Sequence, residues 1–322
     1  MPQQTFVAGR EYIAERNMKM AQKRKVIITV AQTGNFQGKA QNPNLPEQPS
    51  EVIQSAYDCY NAGAAIAHIH ARNKEGNSCN DPKVFAEINA GLRAKCSIIT
   101  QNSTAPATKP GSEADDGVAL LYDDSIKGAL PEMCSLDTSL ITTTRGDLCF
   151  IYRWERDWLI KHGKRMKELG IKPEIEAFNM ESIEDVFQHL IPAGICRLTD
   201  DPAEPINITL VMGMNKVSQG AIGYTQKNHD YIIDLIDQNR GDAKVNVSTM
   251  AIAAHQLHGV TYGLLKGCHV RTGMEDNIFY RYGELASSNA QLVERMVRII
   301  HELEMDVATP EEARQMIGLK PL

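Results

Sequence analysis

Along this chain, short continuous apolar runs alternate with longer stretches in which apolar residues recur at helical spacing. The runs fall at residues 25–30, 64–70, 97–102, 132–136, 174–178, 206–212, 244–247 and 268–271. Unbroken, β-branched runs of this length are the pattern of parallel strands buried on both faces. The helical stretches lie at 49–62, 82–95, 154–169, 183–191, 228–239 and 251–265, with Gly63 and Gly170 placed to close two of them. Eight strands alternating with helices predict a parallel sheet, and eight is the count that closes a (β/α)8 TIM barrel. A doubly wound open sheet is the competing solution, but no G-x-G-x-x-G follows the first strand to support it. The predicted organisation is an N-terminal extension over 1–24, polar and helix-permissive, followed by a single barrel domain over 25–322 that includes C-terminal helices. Two helix starts punctuate the end of the chain: Ser288 with Gln291, and Thr309-Pro310-Glu311-Glu312.

Composition narrows the partners. With 322 residues, 43% of them hydrophobic, the chain is long enough to bury a large core. A net charge of -6 argues against nucleic acid or an anionic membrane as the main partner. No run reaches the length that spans a bilayer, and residues 1–25 carry a basic cluster without the apolar core of a signal peptide. The seven cysteines are scattered and form no C-x-x-C, the pattern of reduced thiols. These features together predict a cytoplasmic protein.

The candidate chemistry starts at Ala64-Ala65-Ile66-Ala67-His68-Ile69-His70-Ala71-Arg72. In a strand, alternation places His68 and His70 on one face, roughly 7 Å apart at the backbone, where two imidazoles can converge on one ion. In a barrel the site is built at the C-terminal ends of the strands. That rule gathers Ser103 after the third strand, Ser135 near the end of the fourth and Glu174 and Glu176 on the fifth. It also gathers Arg271, Glu275 and Asp276 at the eighth. A carboxylate such as Glu275 can complete a two-His, one-carboxylate set with a position left open for substrate. Each residue alone has a plainer explanation: Ser103 as a helix cap, Glu275 or Asp276 as a loop charge, one of the glutamates paired at the rim, Arg72 as structural. His255 and His258, three apart on a predicted helix, suit packing better than metal. The loop after the first strand, 32–49, is long and rich in Gly, Asn, Gln and Pro, which marks it as functional.

The segment Gly267-Cys268-His269-Val270-Arg271-Thr272-Gly273-Met274-Glu275-Asp276-Asn277 resembles the signature G-G-H-x-R-x-G-x-E-D-N of the β-keto acid cleavage enzymes (the 3-keto-5-aminohexanoate cleavage family), departing only at Cys268. Also similar are Gln41-Asn42-Pro43-Asn44-Leu45-Pro46, His68-Ile69-His70-Ala71-Arg72, Ser103-Thr104, Lys172-Pro173-Glu174-Ile175-Glu176, Ser288-Asn289-Ala290-Gln291-Leu292-Val293 and Ala308-Thr309-Pro310-Glu311-Glu312-Ala313-Arg314, so the likeness runs from Lys25 to Leu319. The resemblance implies a zinc-dependent (β/α)8 barrel that exchanges acyl groups between a β-keto acid and acetyl-CoA, giving acetoacetate and a new acyl-CoA. It implies that His68, His70 and Glu275 hold Zn2+. Asp276 would be the base, supported by Arg271 and Glu176, with Ser103 and Ser135 lining the substrate site. The habit of the family suggests a homotetramer or another homo-oligomer.

The departures bear on substrate. Where amino-acid-cleaving members carry a Glu to pair with the substrate amine, this chain has Phe36, so the far end of its substrate is expected not to be a simple amine. Changed loops at Ser103-Thr104-Ala105-Pro106, Met214-Asn215-Lys216-Val217-Ser218 and Ala251-Ile252-Ala253-Ala254 leave acetyl-CoA less firmly implied than zinc. An apparent insertion over 142–165, with Trp154 and Trp158, is placed to reshape the mouth or an oligomer contact. Two rival readings stand beside the transferase. One is a metal-dependent barrel hydrolase acting on a small keto or lactone substrate without CoA; the other is a non-catalytic barrel serving as a sensor or assembly subunit.

Overall fold

A computed structural model describes residues 23–145 and 148–322. Eight parallel strands close into a barrel in sequence order: β1 Ile28–Ala31, β2 Ile66–Ile69, β3 Ile99–Asn102, β4 Met133–Asp137, β5 Lys172–Ala177, β6 Ile206–Met212, β7 Val245–Ala251 and β8 His269–Thr272. The barrel closes where β8 pairs with β1, Val270 beside Ile28 and Arg271 beside Thr29. The (β/α)8 expectation is met. The N-terminal extension predicted over 1–24 lies almost wholly outside the described residues. Of its last two, Arg24 donates to the carbonyls of Leu264 (3.0 Å) and Cys268 (2.6 Å). No helix among the described residues is long and apolar enough to cross a membrane.

Outward strand residues such as Ile28, Val30, Ile69 and Ile175 join the large core under the helices. The inward residues are mostly polar, which is unusual for a barrel packed with branched side chains. Thr29, Gln101, Glu174, Thr209 and Ser248 form a lower layer, and His68, Asp137, Glu176 and Arg271 stand nearer the mouth. A polar interior has to be satisfied and sealed. The last helix, Pro310–Ile317, does the sealing from below. Its Ile317 carbonyl accepts from Asn207 (3.2 Å) and its Met316 carbonyl from Asn246 (2.7 Å). Buried Arg314 pins that helix through a two-pronged pair with Glu132 at 2.8 and 3.0 Å and a bond to the Ser97 carbonyl.

Three boundaries differ from the sequence expectations. The helix predicted from 154 starts at Arg156, because Trp154 ends a β-hairpin, Ser139–Arg145 with Leu148–Trp154. A period-two alternation runs through that hairpin, Ile141, Thr143, Phe150, Tyr152 and Trp154 inward against Leu140 and Ile151 outward, and it outweighs the helical spacing read there. Ser218–Gln219, after β6, adds a short third strand. The seventh strand, expected over 244–247, continues to Ala251, so the helix expected from 251 begins at Gln256 after a 3-10 turn, Ala253–His255. The reason is tertiary: Ala253 adopts a left-handed φ of 55° and donates its N–H to the Asp276 carbonyl at 2.7 Å.

The loop that follows β8 folds back over the end of β1. Glu275 N–H donates to the Ala31 carbonyl at 3.1 Å, and Met274 N–H to Asn289 Oδ1 at 2.8 Å. Gly273 makes the turn, at φ 142°, and a Cβ there would sit 1.9 Å from the Ala31 oxygen. Only glycine fits both conditions. Gly273→Ala is therefore expected to cost about 3 kcal/mol or more of unfolding free energy, read by urea denaturation; a loss below about 1 kcal/mol would show that the turn can move aside.

Candidate active site

The H-x-H pair arrives as strand alternation requires. His68 and His70 point into the mouth while Ile69 is buried in the outer core. His68 Nδ1 meets Gln101 Oε1 at 2.9 Å and His70 Nδ1 meets Asn35 Oδ1 at 3.1 Å. An amide oxygen only accepts, so each Nδ1 carries a proton, which in a neutral ring leaves Nε2 as the nitrogen with the free lone pair. Those two Nε2 atoms face each other at 3.3 Å, and Glu275 Oε1 lies 3.7 Å from one and 3.3 Å from the other. Burial first, then the Arg271 charge, lowers the His68 pKa to about 3, so its imidazole is neutral at ordinary pH.

Arg271 organises the rest. Its Nη1 donates to Glu176 Oε1 at 2.7 Å, and its Nη2 to Glu275 Oε1 at 2.5 Å and Asp276 Oδ1 at 3.1 Å. Burial opposes the guanidinium charge, but Asp276, Glu275 and Glu176 together outweigh it and keep it protonated. The carboxyls divide. Burial works to raise Glu275, yet its positively charged surroundings, with Arg271 Nη2 at 2.5 Å, hold it well below the usual range. Asp276 is fully buried and rises to about 7, burial and Glu275 prevailing over Arg271. Glu176 is also raised, chiefly by burial.

His68, His70 and Glu275 are a group able to hold a metal ion, their ligand atoms all within 4.8 Å of one another. The donor chemistry fits such an ion. Two facing lone pairs cannot satisfy each other without a proton between them, and Glu275 Oε2 is buried with no hydrogen-bond partner among the described residues. A divalent cation satisfies all three groups at once, and the amide partners of both Nδ1 atoms are the outer shell that orients histidine ligands.

The other predicted residues separate. Ser103 and Phe36 line the cavity. Ser135 does not: it is fully buried, its Oγ accepting from Thr104 N–H at 3.1 Å and its carbonyl from Thr104 Oγ1 at 2.9 Å. Sitting one pleat below the strand end, it braces the Ser103-Thr104 turn from behind. Arg72 is turned away from the cavity, donating to the Gly34 carbonyl at 2.8 Å and to the Gln37 carbonyl, which fixes the loop that carries Asn35 and Phe36. Asn42 ties the same long loop to the β8 loop through the carbonyls of Ile278 (3.0 Å) and Ala286 (2.9 Å). Sequence reasoning missed Asp137, Asn35 and Gln101, as well as the inner face of the hairpin. Asp137 had a signal: it follows Ser135 by two and so shares its face one step nearer the mouth.

These features define an enzyme of the β/α-barrel class with a chelating, carboxylate-rich mouth. The chain belongs to the beta-keto acid cleavage enzyme family, whose model matches residues 25–319. It is 31% identical over 298 residues to a 3-keto-5-aminohexanoate cleavage enzyme from Fusobacterium nucleatum subsp. nucleatum, covering 92% of this chain and 98% of that one. It is 31% identical over 295 residues to a 3-oxoadipate:acetyl-CoA acetyltransferase from Cupriavidus necator, covering 91% and 94%. Among solved structures, the apo form of ObcA superposes with a TM-score of 0.69 at 16% identity, over 86% of this chain and 66% of that one, a likeness of fold.

One buried acid below the site yields a test. Glu174 is raised from 4.5 to about 8, by burial first and then by Glu176, and its Oε2 lacks a partner among the described residues. A carboxyl raised in the fold keeps a proton that the unfolded chain has already released, so stability falls as pH rises from about 4.5 through about 8. Glu174→Gln removes that loss. Its unfolding free energy relative to the parent is expected to grow steadily from pH 5 to pH 8, and urea curves that stay parallel across that range would contradict the assignment.

Proposed function

We propose that this enzyme transfers an acyl group from a β-keto acid to coenzyme A, with acetyl-CoA as co-substrate and acetoacetate as the second product. The observation that carries this reading is the meeting of a three-ligand chelating set with Asp276, a fully buried carboxyl, on the one guanidinium of Arg271. Zinc is the ion we infer, held by His68, His70 and Glu275; it would act as a Lewis acid, favouring the enolate of a bound β-keto acid. Asp276 takes the proton from the carbon between ketone and carboxylate as the general base, held in place by Arg271. The resulting carbanion attacks the acetyl thioester and expels the CoA thiolate. That thiolate then attacks the original ketone, the bond between the ketone carbon and the central carbon breaks, and Asp276 returns its proton to the acetoacetate carbanion. One acyl-CoA and one acetoacetate leave, and the balance of atoms closes.

Arg271 and Glu176 act here as positioning residues. The guanidinium fixes Asp276 and Glu275 in one plane of hydrogen bonds, and Glu176 holds its other arm. Ser103 offers a hydroxyl at the cavity wall, and Phe36 closes the place where an ion pair to a substrate amine would form. The same reading puts the enzyme in the cytoplasm as a homo-oligomer of tetrameric size, in keeping with seven free cysteines.

The test is a mass-spectrometric screen of the zinc-loaded protein against a panel of β-keto acids, with and without acetyl-CoA. Acetoacetate and a new acyl-CoA are expected only when acetyl-CoA is present, and Asp276→Asn is expected to lower turnover by about 10²–10⁴-fold. Cleavage without acetyl-CoA would move the assignment to a hydrolase. Metal content is checked separately: Glu275→Gln and His70→Ala should lose stoichiometric zinc by elemental analysis, and Asn35→Ala should weaken it by about 10–100-fold. Full zinc occupancy in His70→Ala would displace the proposed site.

A further inference from the structure

Away from the two histidines, the cavity wall is supplied by the hairpin between β4 and β5. Ile141, Tyr152 and Trp154 line it from the hairpin, Phe178 from the end of β5 and Met214 from the loop after β6. Tyr152 stacks on Trp154 with ring centres 5.1 Å apart and planes at 8°, and Trp154 on Phe178 at 5.6 Å and 18°. Among the described residues that line the cavity, Arg271 is the sole guanidinium or ammonium, and it is already shared by Glu176, Glu275 and Asp276.

We infer that this hairpin-walled compartment receives the acyl tail of the β-keto acid, and that the tail is uncharged and apolar, an alkyl or aryl chain. The inference rests on the acyl-transfer reading and adds the substrate class to it. A carboxylate tail would enter a compartment whose one cation is already shared by three carboxyls, and would be left unpaired. A cationic tail needs open ring faces or an ionised carboxylate. Trp154, the best cation-binding ring of the three, is stacked against both Tyr152 and Phe178, and an aromatic edge is the positive part of the ring. Asp137, a carboxyl of the same cavity wall, is pushed well upward by burial and then by Glu176, which favours its neutral form. Asp137 lines the same cavity with its Oδ1 unpartnered among the described residues; away from it, the wall offers a tail contact with Ile141, Met214, Val211 and the aromatic rings, where each buried methylene adds about fourfold in affinity.

Three six-carbon β-keto acids that differ in tail charge make the test: 3-oxohexanoate (neutral), 3-oxoadipate (anionic) and 5-amino-3-oxohexanoate (cationic). With acetyl-CoA and the zinc-loaded enzyme, kcat/KM for the neutral acid is expected to exceed both others by about 100-fold. Equal or better kcat/KM with either charged acid would overturn the inference and leave the acyl-transfer reading standing. No acyl-CoA from any of the three, nor from the wider panel of keto acids, would overturn both. Ile141→Ala, which enlarges the compartment, is expected to raise the kcat/KM ratio of 3-oxooctanoate to 3-oxohexanoate at least fivefold. An unchanged ratio in that variant would show that the tail lies elsewhere.

Discussion

One guanidinium faces three carboxylates in the mouth of this barrel, and the structure around it is arranged to keep them there. Taking several charges out of water costs several kcal/mol per ion, which is recovered only when geometry and hydrogen bonding are nearly complete. Arg271 meets that demand with short bonds to Glu176, Glu275 and Asp276. One positive charge against three negative ones leaves an imbalance, and the imbalance has two outlets visible in the geometry. Asp276 and Glu176 rise in pKa, so protons take up part of it. Glu275 stays ionised beside two imidazole nitrogens, the arrangement that a divalent cation completes.

Holding that cluster explains features that look unrelated along the chain. Glu275 and Asp276 stand on a turn that bends over β1 at Gly273, and the turn is tied down from three sides. Ala31 accepts from the Glu275 N–H, Asn289 at the start of a C-terminal helix accepts from Met274, and the Asp276 carbonyl accepts from Ala253. The last contact draws Ala253 into a left-handed conformation, which costs an L-residue roughly 1–2 kcal/mol. Such strain near reacting groups is held in place by the surrounding structure. The long loop after β1 is fastened in turn by Arg72 and Asn42, and it delivers Asn35 to His70.

The interior below the site is polar as well, with Glu174, Gln101 and Thr209 where branched aliphatics usually pack. This interior places Gln101 under His68, and it obliges the chain to close the bottom of the barrel with its last helix. The hairpin after β4 serves the opposite end. It replaces a loop with a rigid sheet whose inner face is aromatic, so the walls of the mouth differ in kind: imidazoles from the β2 end, charged groups from β5 and the β8 end, apolar ones from the hairpin.

Much of this was legible before any coordinates. Eight buried runs alternating with helical stretches are enough to specify the barrel, because that periodicity has few other ways to bury itself. His68 and His70 were legible because a strand puts alternate residues on one face. Arg271, Glu275 and Asp276 were legible as a spacing at a strand end. Ser135 was misread as a wall residue because sequence gives the face of a strand residue but not its depth. The helix read at 154 failed because a short stretch with two periodicities is decided by what it packs against, here Phe178 and the barrel mouth. Sequence alone determined the fold, the family and which residues gather as a group able to hold a metal. Tertiary structure decided which carboxyl keeps its proton, which residue orients each histidine and what the tail of a substrate would touch. Those properties depend on distances between groups from different strands, and burial sets their strength.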